Sequence, residues 1–134
     1  MKMRLMILPA GILLALAAAP VFAHHSFAAE YDSNKPVTLT GTVTKMEWMN
    51  PHARFYVDVK DDSGKVANWE FELGSPNGLM RKGWTRNSLK EGDKITVEGY
   101  LAKDGARLAN ARTVALADGR KVFAGAADDG GPSK

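Results

Sequence analysis

Val37-Thr38-Leu39-Thr40-Gly41-Thr42-Val43-Thr44-Lys45-Met46-Glu47-Trp48 is the stretch whose reading decides the fold. From Val37 to Val43 the odd positions are apolar or small, and threonine fills the even ones. This is the two-residue period of a half-buried strand, and threonine suits a pleated surface. After Lys45 the apolar positions become even, at Met46 and Trp48. A side-chain set that changes face by one residue requires a bulge or a sharp bend. One long bent strand can then serve two halves of a closed sheet.

The chain on either side supplies the remaining pieces. Asn50-Pro51 marks a turn. Arg54 to Lys60 reads as a second strand with Phe55, Val57 and Val59 on one face. Asp61-Asp62-Ser63-Gly64 turns the chain, and Val66 to Leu73 forms a third strand with Ala67, Trp69, Phe71 and Leu73 inward. Ser75-Pro76 is a helix start, a capping hydroxyl followed by proline at the first helical position. Gly83 ends that short helix, whose Leu79 and Met80, with Trp84, are expected to pack on the sheet. A fourth strand runs from Lys94 to Leu101, Asp104-Gly105 makes a hairpin turn, and a fifth strand covers Leu108 to Leu116. Val122-Phe123 can add a short strand. The order is three strands, one short helix, two strands. It predicts an all-β, five-stranded Greek-key barrel of OB-fold type over residues 37–124, with a small β-sandwich as the alternative.

Residues 1–23 read as a secretory signal. Lys2 and Arg4 form a positive head, Leu5 to Ala19 an apolar run broken only by Pro9 and Gly11, and Val21-Phe22-Ala23 a small-residue cleavage site. Uncleaved, the apolar segment from Leu5 to Ala23 is near the length that spans a bilayer. Pro20 and the small residues after it favour cleavage, which implies export to the periplasm and no membrane span thereafter. Cutting after Ala23 exposes His24 as the first residue, with His25 behind it. These are two of the chain's three histidines. A second small-residue site, Ser26-Phe27-Ala28, would remove both. Residues 24–36 form an extended lead-in, and residues 125–134, small and polar, form a disordered tail.

The composition removes several classes of function. There are no cysteines, so lipoprotein anchors, disulfide frameworks and thiolate metal sites are excluded. Of the 18 basic residues, Lys2 and Arg4 belong to the signal, so the processed chain is close to charge balance against its 15 acids. The sequence pI of about 9.2 is therefore no polyanion-binding signature. Ser26, Ser33, Ser63, Ser75 and Ser88 all lie in lead-in or turn contexts, outside any nucleophile motif. Glu70 and Glu72 share a strand face, where nothing separates their pKa values for acid–base work. A binding protein is expected rather than an enzyme.

Two binding chemistries fit the residues. An N-terminal histidine can chelate through its amine and ring together, since both can be deprotonated near neutral pH. His24, His25 and His52 would make an all-nitrogen site, and Cu(II) is the ion such donors favour most. His52 follows Pro51 in the first interstrand loop, at the mouth where OB barrels take ligands. The alternative needs no metal: Trp48, beside the first loop, with Tyr56, Glu70 and Glu72 on the second and third strands, would hold a cell-envelope sugar, a peptide or a small cation. That face carries Arg54, Tyr56, Asp58, Asn68, Glu70 and Glu72, too acidic to track nucleic acid.

His24-His25-Ser26-Phe27-Ala28, Trp48-Met49-Asn50-Pro51-His52, Gly83-Trp84 and Gly92-Asp93 together resemble a family of small exported bacterial proteins of unknown function. The resemblance spans about residues 24–122. It implies export and an OB-like domain, and it carries no assigned catalytic residues.

Overall fold

The computed structural model describes residues 26–124. The signal segment, His24 and His25 of the lead-in, and the tail at 125–134 lie outside the described residues. A single turn of helix, α1 (Phe27–Glu30), leads into β1 (Tyr31–Glu47), followed by β2 (Arg54–Lys60), β3 (Val66–Glu72), α2 (Pro76–Arg81), β4 (Lys94–Ala102), β5 (Leu108–Leu116) and β6 (Lys121–Phe123). The strand order is β3-β2-β1-β4-β5-β6, and a parallel pairing of β3 with β5 closes the ring. Five strands make the barrel, and β6 extends it beside β5. The small all-β barrel predicted from the strand order is the architecture observed.

β1 carries this closure. Its first part pairs with β4, from Tyr31 to Thr42, and its second with β2, from Gly41 to Glu47. The parity change has its cause between Val43 and Lys45, where the register against β2 slips by one residue at Thr44. There β1 leaves β4 and bonds the Gly92-Asp93 turn instead: Val43 N–H donates to the Asp93 carbonyl and Gly92 N–H to that of Val43. Gly41 sits where β1 pairs with both neighbours. A Cβ there would lie 2.2 Å from the Asp58 carbonyl oxygen, so only glycine lets the strands approach this closely.

The interior is apolar. Phe55, Val57, Phe71, Leu73, Ile95, Val97 and Val114 are buried, with Phe55 stacked on Phe71 at 5.1 Å between ring centroids. α2 begins as its sequence dictates. The Ser75 hydroxyl accepts from Gly78 N–H, and Pro76 occupies the first turn. Leu79 and Trp84 are buried and join the barrel's core. Met80 corrects the sequence reading: it faces solvent, because a six-residue helix presents only one side to the core. Trp48 and Trp69 are half-buried against the core. The lead-in differs too. β1 starts at Tyr31 rather than Val37, and an irregularity in its pairing between Tyr31 and Pro36 joins the two parts. Among the described residues no helix is long and apolar enough to cross a membrane.

Candidate functional site

Register sets the outer face of β1, β2 and β3 as two rows. Glu47 lies opposite Arg54, and Arg54 opposite Glu72; Lys45 lies opposite Tyr56, and Tyr56 opposite Glu70. Both rows descend from the alternation that sends Phe55, Val57 and Phe71 inward. The polar groups bond one another. Arg54 pairs with Glu70 and faces Glu72 at 3.7 Å. Tyr56 donates to Glu47 at 3.2 Å and to Glu70 at 3.5 Å, and Lys45 pairs with Glu47 at 2.5 Å. That pairing, a hydrogen bond from Lys45, holds the Glu47 carboxyl below its usual range. Burial, then the Glu70 and Glu47 charges, push the Tyr56 phenol up. Tyr56, Glu70 and Glu72, which the sequence suggested for an envelope ligand, are thus joined in one ladder with Arg54. Trp48 stands apart from it, packed on the core.

His52 stands at the end of that ladder. The Asn50–Pro51 peptide is cis, and the chain then rejoins the sheet at Ala53, whose N–H donates to Gly74 O and whose carbonyl accepts from Leu73 N–H. This places the His52 ring against the end of β3, with Nδ1 2.9 Å from the Leu73 carbonyl oxygen and 3.3 Å from Glu72 Oε1. A carbonyl can only accept, so Nδ1 carries the proton in this contact. In the neutral ring this leaves Nε2 as a bare lone pair, and the side chain is 25% exposed. Metal-binding histidines are held in this way, with the far nitrogen tied to a carbonyl or carboxylate.

Tyr31 is the candidate-site residue that sequence reasoning passed over. It is buried, and its hydroxyl donates to Glu72 Oε2 at 2.7 Å. Burial, and next the Glu72 charge, hold its phenol far above the ordinary range. Phe27, one helical turn earlier, packs on Tyr31 and Tyr100 and beneath the Arg112 guanidinium. The available signal was two aromatic residues four apart in a polar stretch, a spacing that puts both on one side of a helical turn. Lys103 anchors the same turn: its N–H donates to Glu30 O, and its ammonium to Ala28 O. Residues 27–31 therefore lie along the barrel flank that carries Glu72, and Glu72 also approaches His52.

Of the three histidines singled out in the sequence, only His52 is among the described residues. Within those residues no three His, Asp or Glu side chains converge as a metal site. No curated protein matches the sequence. Among solved structures, the chain is similar to the mitochondrial single-stranded DNA-binding protein Rim1 of S. cerevisiae. The two are 8% identical, with a TM-score of 0.48, over 62% of this chain and 93% of that one. Residues 12–111 match a protein family described only as of unknown function, and the chain belongs to that family (DUF6152).

Proposed function

We propose that this is an exported, periplasmic metal-binding accessory protein whose site joins the processed N-terminus, through His24 and His25, to His52, with Cu(II) as the favoured ion. One observation carries the reading: Tyr31 of the lead-in and His52 of the first loop meet on the same carboxylate, Glu72. An N-terminal site of this kind requires the lead-in and the Asn-Pro-His corner to lie side by side. The His52 contact supports the same reading: Nδ1 faces the Leu73 carbonyl, so in the neutral ring Nε2 is the nitrogen left for a metal. Ring nitrogens bind at about 2 Å, and the terminal amine adds a donor of the same class.

The metal-independent alternative draws less support. Tyr56, Glu70 and Glu72 direct their polar atoms at Arg54, Glu47 and Tyr31, which leaves little uncompensated charge for a cationic ligand. The same rows hold three carboxylates against the two cations Lys45 and Arg54, the wrong balance for a phosphate backbone.

The test is a Cu(II) titration of the processed protein against a competing chelator, after mass spectrometry has established a start at His24. Affinity should exceed that of a free His-His-Ser-Phe peptide. It should drop on His52→Ala, and drop again when one residue is added ahead of His24. Affinity equal to the peptide's and indifferent to His52→Ala would remove the proposal.

A further inference from the structure

We infer that Glu72 is a positioning residue that couples docking of residues 27–31 to the orientation and tautomer of the neutral His52 ring. Its use rests on the metal reading above, but the coupling exists in the metal-free protein.

Glu72 ends β3 on the outer face of the barrel, where a carboxylate is ordinarily hydrated, yet it is only 8% exposed. A carboxylate withdrawn from water persists only where donors replace the solvent. Here the donors come from three parts of the chain. Tyr31 O–H reaches Oε2 at 2.7 Å from the lead-in. Arg54 Nη2 lies 3.7 Å from the same oxygen, from β2. His52 Nδ1 lies 3.3 Å from Oε1, from the loop. With one oxygen held by Tyr31, the other is aimed at His52. There its charge stands beside the Leu73 carbonyl that takes the Nδ1 hydrogen bond, and a carboxylate 3.3 Å away favours the tautomer with its proton on that nitrogen.

The lead-in end of this relay has its own seat. Phe27 is 4% exposed and lies 4.8 Å below the Arg112 guanidinium, which itself stands near the Tyr100 ring. Phe27 holds the turn that delivers Tyr31. Docking of residues 27–31 and the orientation of the His52 ring are thus two ends of one chain of contacts, a hydrogen bond from Tyr31 to Glu72 and a 3.3 Å approach of Glu72 to the ring. A donor held on a tethered segment binds well only when that segment is already in place. The relay therefore prepares the ring while it seats residues 27–31.

The experiment is long-range 1H–15N correlation of the His52 ring in metal-free, 15N-labelled processed protein, for wild type, Tyr31→Phe and Glu72→Gln. Wild type should show Nδ1 protonated and Nε2 bare. Both variants should move the ring nitrogens toward a mixture of tautomers, while the amide signals of β2 and β5 stay in place. Tyr31→Phe is decisive, because it removes one hydroxyl that does not touch His52. His52 ring signals unchanged in Tyr31→Phe overturn the inference. A Cu(II) titration of the same samples separates it from the functional proposal. If both hold, Tyr31→Phe weakens Cu(II) about 10- to 100-fold without removing a donor. If the tautomer moves but wild type binds Cu(II) no better than the free peptide, the coupling stands and the metal reading falls. If binding is tight and depends on His52 yet Tyr31→Phe alters neither tautomer nor affinity, the metal reading stands and the coupling falls.

Discussion

The barrel has two buried regions built on opposite principles. Inside, Phe55, Val57, Phe71, Val97 and Val114 pack without a polar group among them. Outside, beneath the lead-in, Phe27, Tyr31 and Ala102 form a small separate cluster, with Tyr100 and Leu108 at its margin. The buried polar residues Glu72, Asn110 and Arg112 border that outer cluster: Asn110 pairs with both Glu72 and Tyr100 in the register, and Arg112 covers Phe27. The inner region gains stability from apolar area and tight packing. The outer region gains less area and holds polar groups in fixed directions, as a ligand site needs and a core does not. The Asn110 Oδ1 atom, buried with no partner among the described residues, is one cost of that arrangement.

Four substitutions can break or sharpen this contrast. The largest effect is expected at Phe71→Ala. It opens a cavity against Phe55 in the fully enclosed core and should cost about 3–5 kcal/mol in chemical denaturation. Phe27→Ala should cost less, roughly 2 kcal/mol, because the lead-in can lift away and leave no cavity behind. Proteolysis between residues 27 and 36 should then accelerate while the barrel stays folded. Equal losses from the two variants would mean that the lead-in and the barrel form one cooperative core.

Tyr31→Phe should cost about 1 kcal/mol at neutral pH, since Glu72 loses its closest donor and keeps Arg54. This variant also carries a pH signature. The Tyr31 phenol is pushed up in the folded protein. Its contribution is therefore fully present below the unfolded tyrosine value of about 10 and is lost as the pH rises above it. Wild type should lose stability more steeply than Tyr31→Phe above about pH 10, and denaturation curves that keep their neutral-pH separation would contradict the burial of this phenol. The smallest effect is expected at Ser75→Ala. Its hydroxyl caps α2 by accepting from Gly78 N–H, and its loss should cost about 0.5–1 kcal/mol in either buried region's background.

Much of the barrel could be read along the chain, because strand alternation and turn chemistry are local. The slip at Thr44 was visible as a change of parity after Lys45, and the α2 cap as Ser75-Pro76. The start of β1 and the exposure of Met80 were not visible in the same way. Residues 31–36 lack alternation and join β4 only through Tyr31 and Pro36, and a helix this short has only one face to offer. For the candidate site, the sequence singled out His52, Glu70 and Glu72 by residue type alone, and it could not say that Glu72 is buried.

By itself, then, the order of residues determined which side chains face inward, where the chain turns, and that the first strand must bend. Only the tertiary structure decided what lies against the outer face. The Tyr31–Glu72 bond spans 41 residues of chain, and the His52–Leu73 contact spans 21. The physical reason is that alternation is written into neighbouring residues, whereas a carboxylate's partners depend on which strands closure brings together. Here the parallel pairing of β3 with β5 and the folding back of the lead-in make that choice.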